Sequence, residues 1–410
     1  MKRYDYLIIG GGVAGVTAAE TIRAGDERAT IGIVSVEPHP LYSRVLLPSY
    51  LKGRVNREAV FLRSADDFIK KRIDLLMNEE AVSLDTIRGV TVLASGQKAY
   101  WTSLLIASGG RVMPWGNAED QSVIYRLQTI DDADRIRKNM PRARTPVVVG
   151  SSFIALEFLE IFAENGLTPA LLSQASRYFD AALDDEGGAM IADHLQRRGI
   201  TLHFNDGIAE MIVQDDDADI TTRRGDMLKT NTVAVGIGIQ PNVAFLAGSD
   251  IEHFAGGVNA DAFLETNHPN VFAAGDIAYF LDPVTRVSRR VGNWTNAVLQ
   301  GKIAGHNMLH KKNKQEFRAI PSYTITNFGW NITMVGDCNP EGTTTMTRRS
   351  PDKFLYERFF LKDDILAGAF LINAFRDKIP LTRLIERQTH LGDAASALRD
   401  DAFDISSIAP

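Results

Sequence analysis

Short apolar runs closed by small residues, each followed by a run of helical composition, set the layout of this chain. Residues 7–9 read as a buried strand, residues 14–24 as a helix and residues 31–36 as a second strand. The pattern recurs further on: residues 146–149 form an apolar run ending at Gly150, a helix follows to about Asn165, and a strand occupies residues 170–172. Two more apolar runs end in small residues, residues 104–110 and residues 233–242, each placed to close one of the two units. Residues 270–276 give another strand, with a Gly-Asp end, and residues 294–309 a helix. Between these lie an amphipathic helix at residues 65–71, short antiparallel strands within residues 81–94 and a helix at residues 131–139. Beyond about Glu316 the character changes. Thr, Asn and aromatic positions alternate over residues 323–334, residues 354–360 suggest a strand, and helices are predicted over residues 367–375 and 382–387.

This order predicts an α/β fold with two Rossmann-like dinucleotide-binding domains, the second inserted in the first, and a C-terminal α+β domain. The expected boundaries are 1–115 with 240–315 for the first, 116–239 for the second and 316–410 for the third.

The chemistry begins at the first turn. Gly10, Gly12 and Gly15 have the spacing G-x-G-x-x-G between a strand and a helix. The first glycine permits a tight turn, the second lets backbone approach a pyrophosphate, and the third lets helix pack on strand. The helix N-terminus then offers free N–H groups and a positive dipole end to the phosphates. An acid after the second strand can accept from ribose hydroxyls, and Glu37 stands there, with Ser35 also close enough. The second unit departs from this spacing: Gly150, Ser152 and Ala155 take the glycine places. Its acid is missing, with Ser173 and Gln174 in position and Arg177 nearby. An arginine can suit a 2′-phosphate, so the site leans to NADPH or leaves the choice open, or the unit is a fold relic without nucleotide. Asp276, at the C-terminal end of a strand, points to a ligand crevice or is a turn residue.

At 410 residues the chain has room for two or three domains. Its net charge of −6 argues against broad binding to nucleic acid. The single cysteine, Cys338, excludes an internal disulfide, a C-x-x-C pair and a cysteine zinc cluster. No metal site is expected. His306 and His310 come nearest to ligand spacing and read as a surface pair. No signal-peptide pattern and no apolar run of about 18 residues occurs, so no membrane span and a cytoplasmic location are expected.

Together these segments resemble the FAD-dependent pyridine-nucleotide oxidoreductases. The nearest kinds are NAD(P)H:rubredoxin reductases, ferredoxin reductases of oxygenase systems and the flavin half of assimilatory nitrite reductases. The resemblance rests on the Gly10 fingerprint, the 38–44 loop, residues 104–109, the Gly150 to Glu157 segment, the Gly238 loop, Ala274-Gly275-Asp276, residues 293–297 and the tail at 398–405. It implies that Gly10, Gly12 and Gly15 hold the FAD pyrophosphate and that Glu37 lies near the ribose. Arg44 and Arg111 would contact the diphosphate or flavin edge. Gly275 and Asp276 would meet the ribityl chain, and Trp294 and Phe328 would lie near the flavin. Gly150, Ser152, Ala155, Ser173, Arg177 and Gly238 would hold NAD(P)H, with Glu157 at the nicotinamide. No protein residue is assigned as catalytic.

Redox-disulfide members carry a cysteine near the position of Ser43, which this chain lacks. Ferredoxin reductases often have a lysine shortly after the Arg44 loop; Ser49 stands there, with Lys52 three residues on. The implied reaction is hydride transfer from nicotinamide to flavin, then direct transfer to an acceptor, with a small electron-carrier protein as partner. Arg286, Arg289 and Arg290 could steer an acidic carrier or form a solvated loop. The chain would act as a monomer or homodimer. Two other functions fit: a flavin subunit that oxidises a small metabolite without NAD(P)H, and a redox-sensing flavoprotein resembling apoptosis-inducing factor.

Overall fold

A computed structural model describes residues 2–116 and 122–409. The chain divides into two compact units, each built from three separate stretches. The first comprises Met1–Ser43, Arg57–Arg111 and Ile239–Ala319; the second comprises Arg44–Asn56, Val112–Gly238 and Ile320–Pro410.

The first unit is organised on a parallel sheet. Strand Lys2–Ile9 lies between Ile31–Val34 and Lys98–Ile106, with Ile73–Leu76 beyond the former and Val271–Ala273 beyond the latter. The N-terminal half of Lys98–Ile106 also carries an antiparallel flap, Ala81–Asp85 and Val90–Leu93. The burial of Leu7, Ile8, Leu104, Leu105 and Ile106 explains their unbroken apolar runs, because a strand covered on both faces has no polar side. Helix Val13–Gly25 covers one face and packs on helix Trp294–Leu309 through small residues. A Cβ at Gly301 would stand 2.3 Å from the Ala14 carbonyl oxygen, and one at Gly305 would stand 2.8 Å from that of Ala18. Any side chain there would force the helices apart.

The second unit repeats the plan. Strands Thr201–His203, Ala170–Leu172, Val147–Val149, Val233–Val235 and Ile124–Tyr125 pair in that order, all parallel. Helix Phe153–Glu164 follows the central strand, and a three-stranded antiparallel sheet, Ile208–Gln214, Asp217–Thr222 and Met227–Thr230, comes between strands Thr201–His203 and Val233–Val235 in the sequence. Both units therefore place a glycine turn after the central strand of a doubly wound sheet, where such folds bind ligands.

The remainder of the second unit is a five-stranded antiparallel sheet, Ser322–Asn327, Trp330–Gly336, Ile365–Ile372, Leu355–Lys362 and Thr344–Ser350. Helix Lys378–Glu386 buries Leu381, Leu384 and Ile385 against its core. One expectation fails here. Residues 367–375 were predicted as a helix, yet Ile365–Ile372 is the central strand, paired on both edges and almost wholly buried. Alanine and leucine suit a helix, but a short run buried on all sides has no periodicity to tell the two apart.

Candidate functional site

In the first unit the three fingerprint glycines have different reasons. Gly10 has φ +125°, and a Cβ there would stand 2.1 Å from the Ala107 carbonyl oxygen. A Cβ at Gly15 would stand 2.1 Å from the Gly10 oxygen. Both glycines are demanded by the protein's own packing. Gly12 differs: a Cβ there would meet nothing within 4 Å, so the chain itself leaves that space open. Gly12 caps helix Val13–Gly25 without a side-chain bond, and the first turn carries no acid. By contrast, helices Ala65–Lys70, Ile130–Asn139 and Asp185–Gln196 all have side-chain caps and two acids in the first turn. A helix end left uncapped and uncharged beside an open space can take an anion.

The other residues expected around this site are placed as follows. Glu37 follows strand Ile31–Val34, and its carboxylate accepts a hydrogen bond from the Tyr42 hydroxyl. Ser35, the other position after that strand, is buried and lies against Gly11. Gly275 has φ +82° and donates its N–H to the Gln300 side-chain oxygen at 2.7 Å. The Gln300 amide nitrogen is buried with no partner, a donor kept ready next to the Gly275–Asp276 turn. Asp276 lies 3.6 Å from where a Gly292 Cβ would sit. Trp294 is the first residue of its helix and packs partly buried on the core. Arg111 is exposed, and Arg289, expected on a basic loop, turns onto the buried carboxylate of Asp282. Arg44 belongs to the second unit, where its guanidinium donates to the Gln128 carbonyl.

In the second unit Gly150 has φ +114°, and a Cβ there would stand 2.4 Å from the Gly236 oxygen. Ser152 caps helix Phe153–Glu164: its hydroxyl accepts from the Ala155 N–H at 3.3 Å and donates to the Gly236 carbonyl at 2.7 Å. Gly236 takes over the third glycine's task, because a Cβ there would stand 2.8 Å from the Ala155 nitrogen. The close strand–helix approach survives the substitutions. Gly238 has φ +104°, and its carbonyl accepts from the Met113 N–H at 3.1 Å. Ser173 is buried, its hydroxyl bonded to the Ala175 N–H at 3.1 Å. Arg177 packs against Gly188 and forms an ion pair with Asp185, whose side chain is largely exposed.

One cluster was not foreseen. Lys52, Glu157 and Glu160 meet within the second unit, with side chains 3%, 14% and 4% exposed. The Lys52 ammonium stands 2.6 Å from Glu160 and 3.3 Å from Glu157. Glu160 also accepts from the Asn327 amide at 2.8 Å and the Phe328 backbone N–H at 2.6 Å. Burial, and then the charge of Glu160, push the Glu157 carboxyl above the usual range, against the pull of Lys52. The only hint in the sequence is the three-residue spacing of two glutamates in an apolar helix. Lys52 enters the sequence reading only as a lysine displaced from the place the resemblance implies, and nothing local points to Asn327. A second unforeseen grouping joins His203, Asp206 and Asp226, with ligand atoms within 4.8 Å of one another. Asp206 there accepts from the Gly207 N–H at 2.8 Å, as loop carboxylates do. Among the described residues no helix is long and apolar enough to cross a membrane.

Two doubly wound sheets, each with a glycine turn opening a helix whose first turn holds no acid, define a protein that binds two dinucleotides. Residues 4–301 match the pyridine nucleotide-disulphide oxidoreductase family, and the chain belongs to it. It is 26% identical over 386 residues to the ferredoxin–NAD(+) reductase component of 3-phenylpropionate/cinnamic acid dioxygenase from Photorhabdus laumondii, covering 94% of this chain and 97% of that one. It is 27% identical over 398 residues to the epsilon subunit of NADH-dependent phenylglyoxylate dehydrogenase from Aromatoleum evansii, covering 95% and 93%. The crystal structure of a ferredoxin reductase from Rhodopseudomonas palustris superposes with a TM-score of 0.89 at 25% identity, over 99% of this chain and 100% of that one.

Proposed function

We propose that this chain is an FAD-dependent NAD(P)H oxidoreductase that delivers electrons to a small electron-carrier protein of the ferredoxin or rubredoxin kind. The observation that carries this reading is the pair of glycine turns, each opening a helix whose first turn holds no acid. The relatives named as ferredoxin reductase and NADH-dependent dehydrogenase subunit support it.

FAD would be held in the first unit by Gly10, Gly12 and Gly15 at the pyrophosphate, Glu37 at the ribose, and Gly275 and Asp276 on the ribityl side. Arg111 and Trp294 complete that assignment, whereas Arg44 and Phe328 fall in the second unit. NAD(P)H would be held by Gly150, Ser152, Ala155, Ser173, Arg177 and Gly238, with Glu157 toward the nicotinamide. The expected three domains, 1–115 with 240–315, 116–239 and 316–410, follow this division of labour. Bound flavin supplies hydride acceptance and release of electrons one at a time.

The protein's part is to bind and orient. The open cradle at Gly12 admits a pyrophosphate, and the helix end behind it stabilises the charge. The buried Gln300 amide offers a donor beside Gly275. Glu157, half tethered by Lys52, supplies a carboxyl that orients a carboxamide. With Cys338 the single cysteine, no disulfide relay stands between the two ends of the reaction. A cytoplasmic monomer or homodimer fits this work.

Anaerobic mixing with NADH and with NADPH tests the reading: one of them bleaches the flavin band in a single turnover. Failure of both, with flavin bound, would leave the metabolite-oxidising reading in its place.

A further inference from the structure

The Glu160 cluster holds an unusual turn. Strands Ser322–Asn327 and Trp330–Gly336 are joined by Phe328 and Gly329, with φ +52° and +82°. This two-residue hairpin wants Asn-Gly or Gly-Gly, and a bulky aromatic in the left-handed region is strained. It stays there because its surroundings hold it. Glu160 accepts both the Asn327 amide and the Phe328 N–H, and Arg198 donates to the Phe328 carbonyl at 3.1 Å with its guanidinium over the ring. One turn earlier on the same helix face sits Glu157. Glu160 collects three donors, with Lys52 at 2.6 Å, while Lys52 stands farther from Glu157, at 3.3 Å.

We propose that Glu160 is a positioning residue for nicotinamide binding: as the fixed partner of Lys52 and of the Asn327–Phe328 turn, it holds the Glu157 carboxyl for the carboxamide. This rests on the reading that Glu157 faces the nicotinamide. The charged and titratable groups around Glu157 are Lys52 after helix Leu47–Leu51, Glu160 on its own helix and Tyr323 on strand Ser322–Asn327, with Arg54 3.9 Å from Glu160. Two carboxylates share one ammonium. Neutralising Glu160 therefore makes Glu157 easier to ionise and turns Lys52 to it, whereas removing Lys52 does the reverse.

The test is binding of NAD(+) and NADP(+) to the oxidised, FAD-loaded protein by calorimetry from pH 5 to 9. The wild type gives one inflection in affinity, and Glu157→Gln abolishes it. Glu160→Gln moves it down by about one pH unit, and Lys52→Met moves it up by about one. Glu160→Asp, which keeps the charge, returns it toward the wild-type position. Shifts of opposite sign are not what a loosened fold produces. If Glu160→Gln does not fold, the upward shift in Lys52→Met decides alone. Uniformly weaker binding with an unmoved inflection in Glu160→Gln and Lys52→Met, while Glu157→Gln removes the inflection, overturns this proposal and leaves the nicotinamide reading intact. A Glu157→Gln protein that binds as the wild type does at every pH overturns both.

Discussion

The three fingerprint glycines should respond differently to substitution, and the difference tests where a dinucleotide lies. Consider Gly12→Val. Gly12 has φ −74° and ψ −179°, extended backbone that valine adopts without strain, and its Cβ enters open space. The cost to the protein alone is that of a poorer helix cap, about 0.5–1 kcal/mol, a small part of a typical 5–15 kcal/mol. The three added carbons occupy the space assigned to the pyrophosphate. Overpacking of that kind costs about 1–3 kcal/mol, which is about a 5- to 150-fold weaker FAD affinity. Gly10→Ala works through the fold instead. It adds about 1–3 kcal/mol of backbone strain at φ +125° to about 1–3 kcal/mol for the 2.1 Å approach to Ala107. The assay is thermal unfolding of the apoprotein followed by FAD titration monitored by flavin fluorescence. Gly12→Val should melt close to the wild type and bind FAD weakly, and Gly10→Ala should melt early. Wild-type FAD affinity in a well-folded Gly12→Val protein would refute the reasoning.

Other consequences concern the ion pairs and the thiol. Buried Arg348 faces two carboxylates, Glu357 and Asp377, and burial pushes Glu357 up to about 7 from its ordinary 4.5. A raised carboxyl stabilises the fold below pH 4.5 and loses that contribution as pH rises through about 7, at most about 3 kcal/mol. Unfolding midpoints measured from pH 4.5 to 8 should therefore fall less steeply in Glu357→Gln than in the wild type. Asp185→Asn should release Arg177 and raise the affinity for NADPH relative to NADH several-fold, read from the Kd of each oxidised nucleotide. Burial pushes the Cys338 thiol up to about 12, so native protein should resist iodoacetamide at pH 8 and keep full activity, and mass spectrometry of the treated protein checks both.

The fold was legible where one rule decided the element. Helix Trp294–Leu309 and strand Ala170–Leu172 lie where the sequence pattern put them. The duplication of the glycine turn implied two parallel sheets, and both appear with the same order over four of their parallel strands. The strand Ile365–Ile372 was hidden because its neighbours, not its own pattern, decide its state. At the site, the local turn chemistry of Gly10 and Gly150 could be read from spacing, since tight turns are local. The substitutions at Ser152 and Ala155 left open whether the second turn still closes; Gly236, far along the chain, closes it. The Lys52–Glu160–Asn327 cluster spans stretches remote in sequence, and no spacing rule brings them together. The Arg177–Asp185 ion pair could not be read from the sequence, because Asp185 lies eight residues on across a turn.

Electron delivery through flavin to a carrier protein is the central claim, and reoxidation after anaerobic reduction tests it most directly. Protein reduced with one equivalent of NADH or NADPH is mixed in a stopped-flow instrument with rubredoxin, with ferredoxin, or with air-saturated buffer. The account predicts that one of the carriers restores the flavin band much faster than oxygen does, with stoichiometric reduction of the carrier. Reoxidation by neither carrier, at any ionic strength, would contradict it.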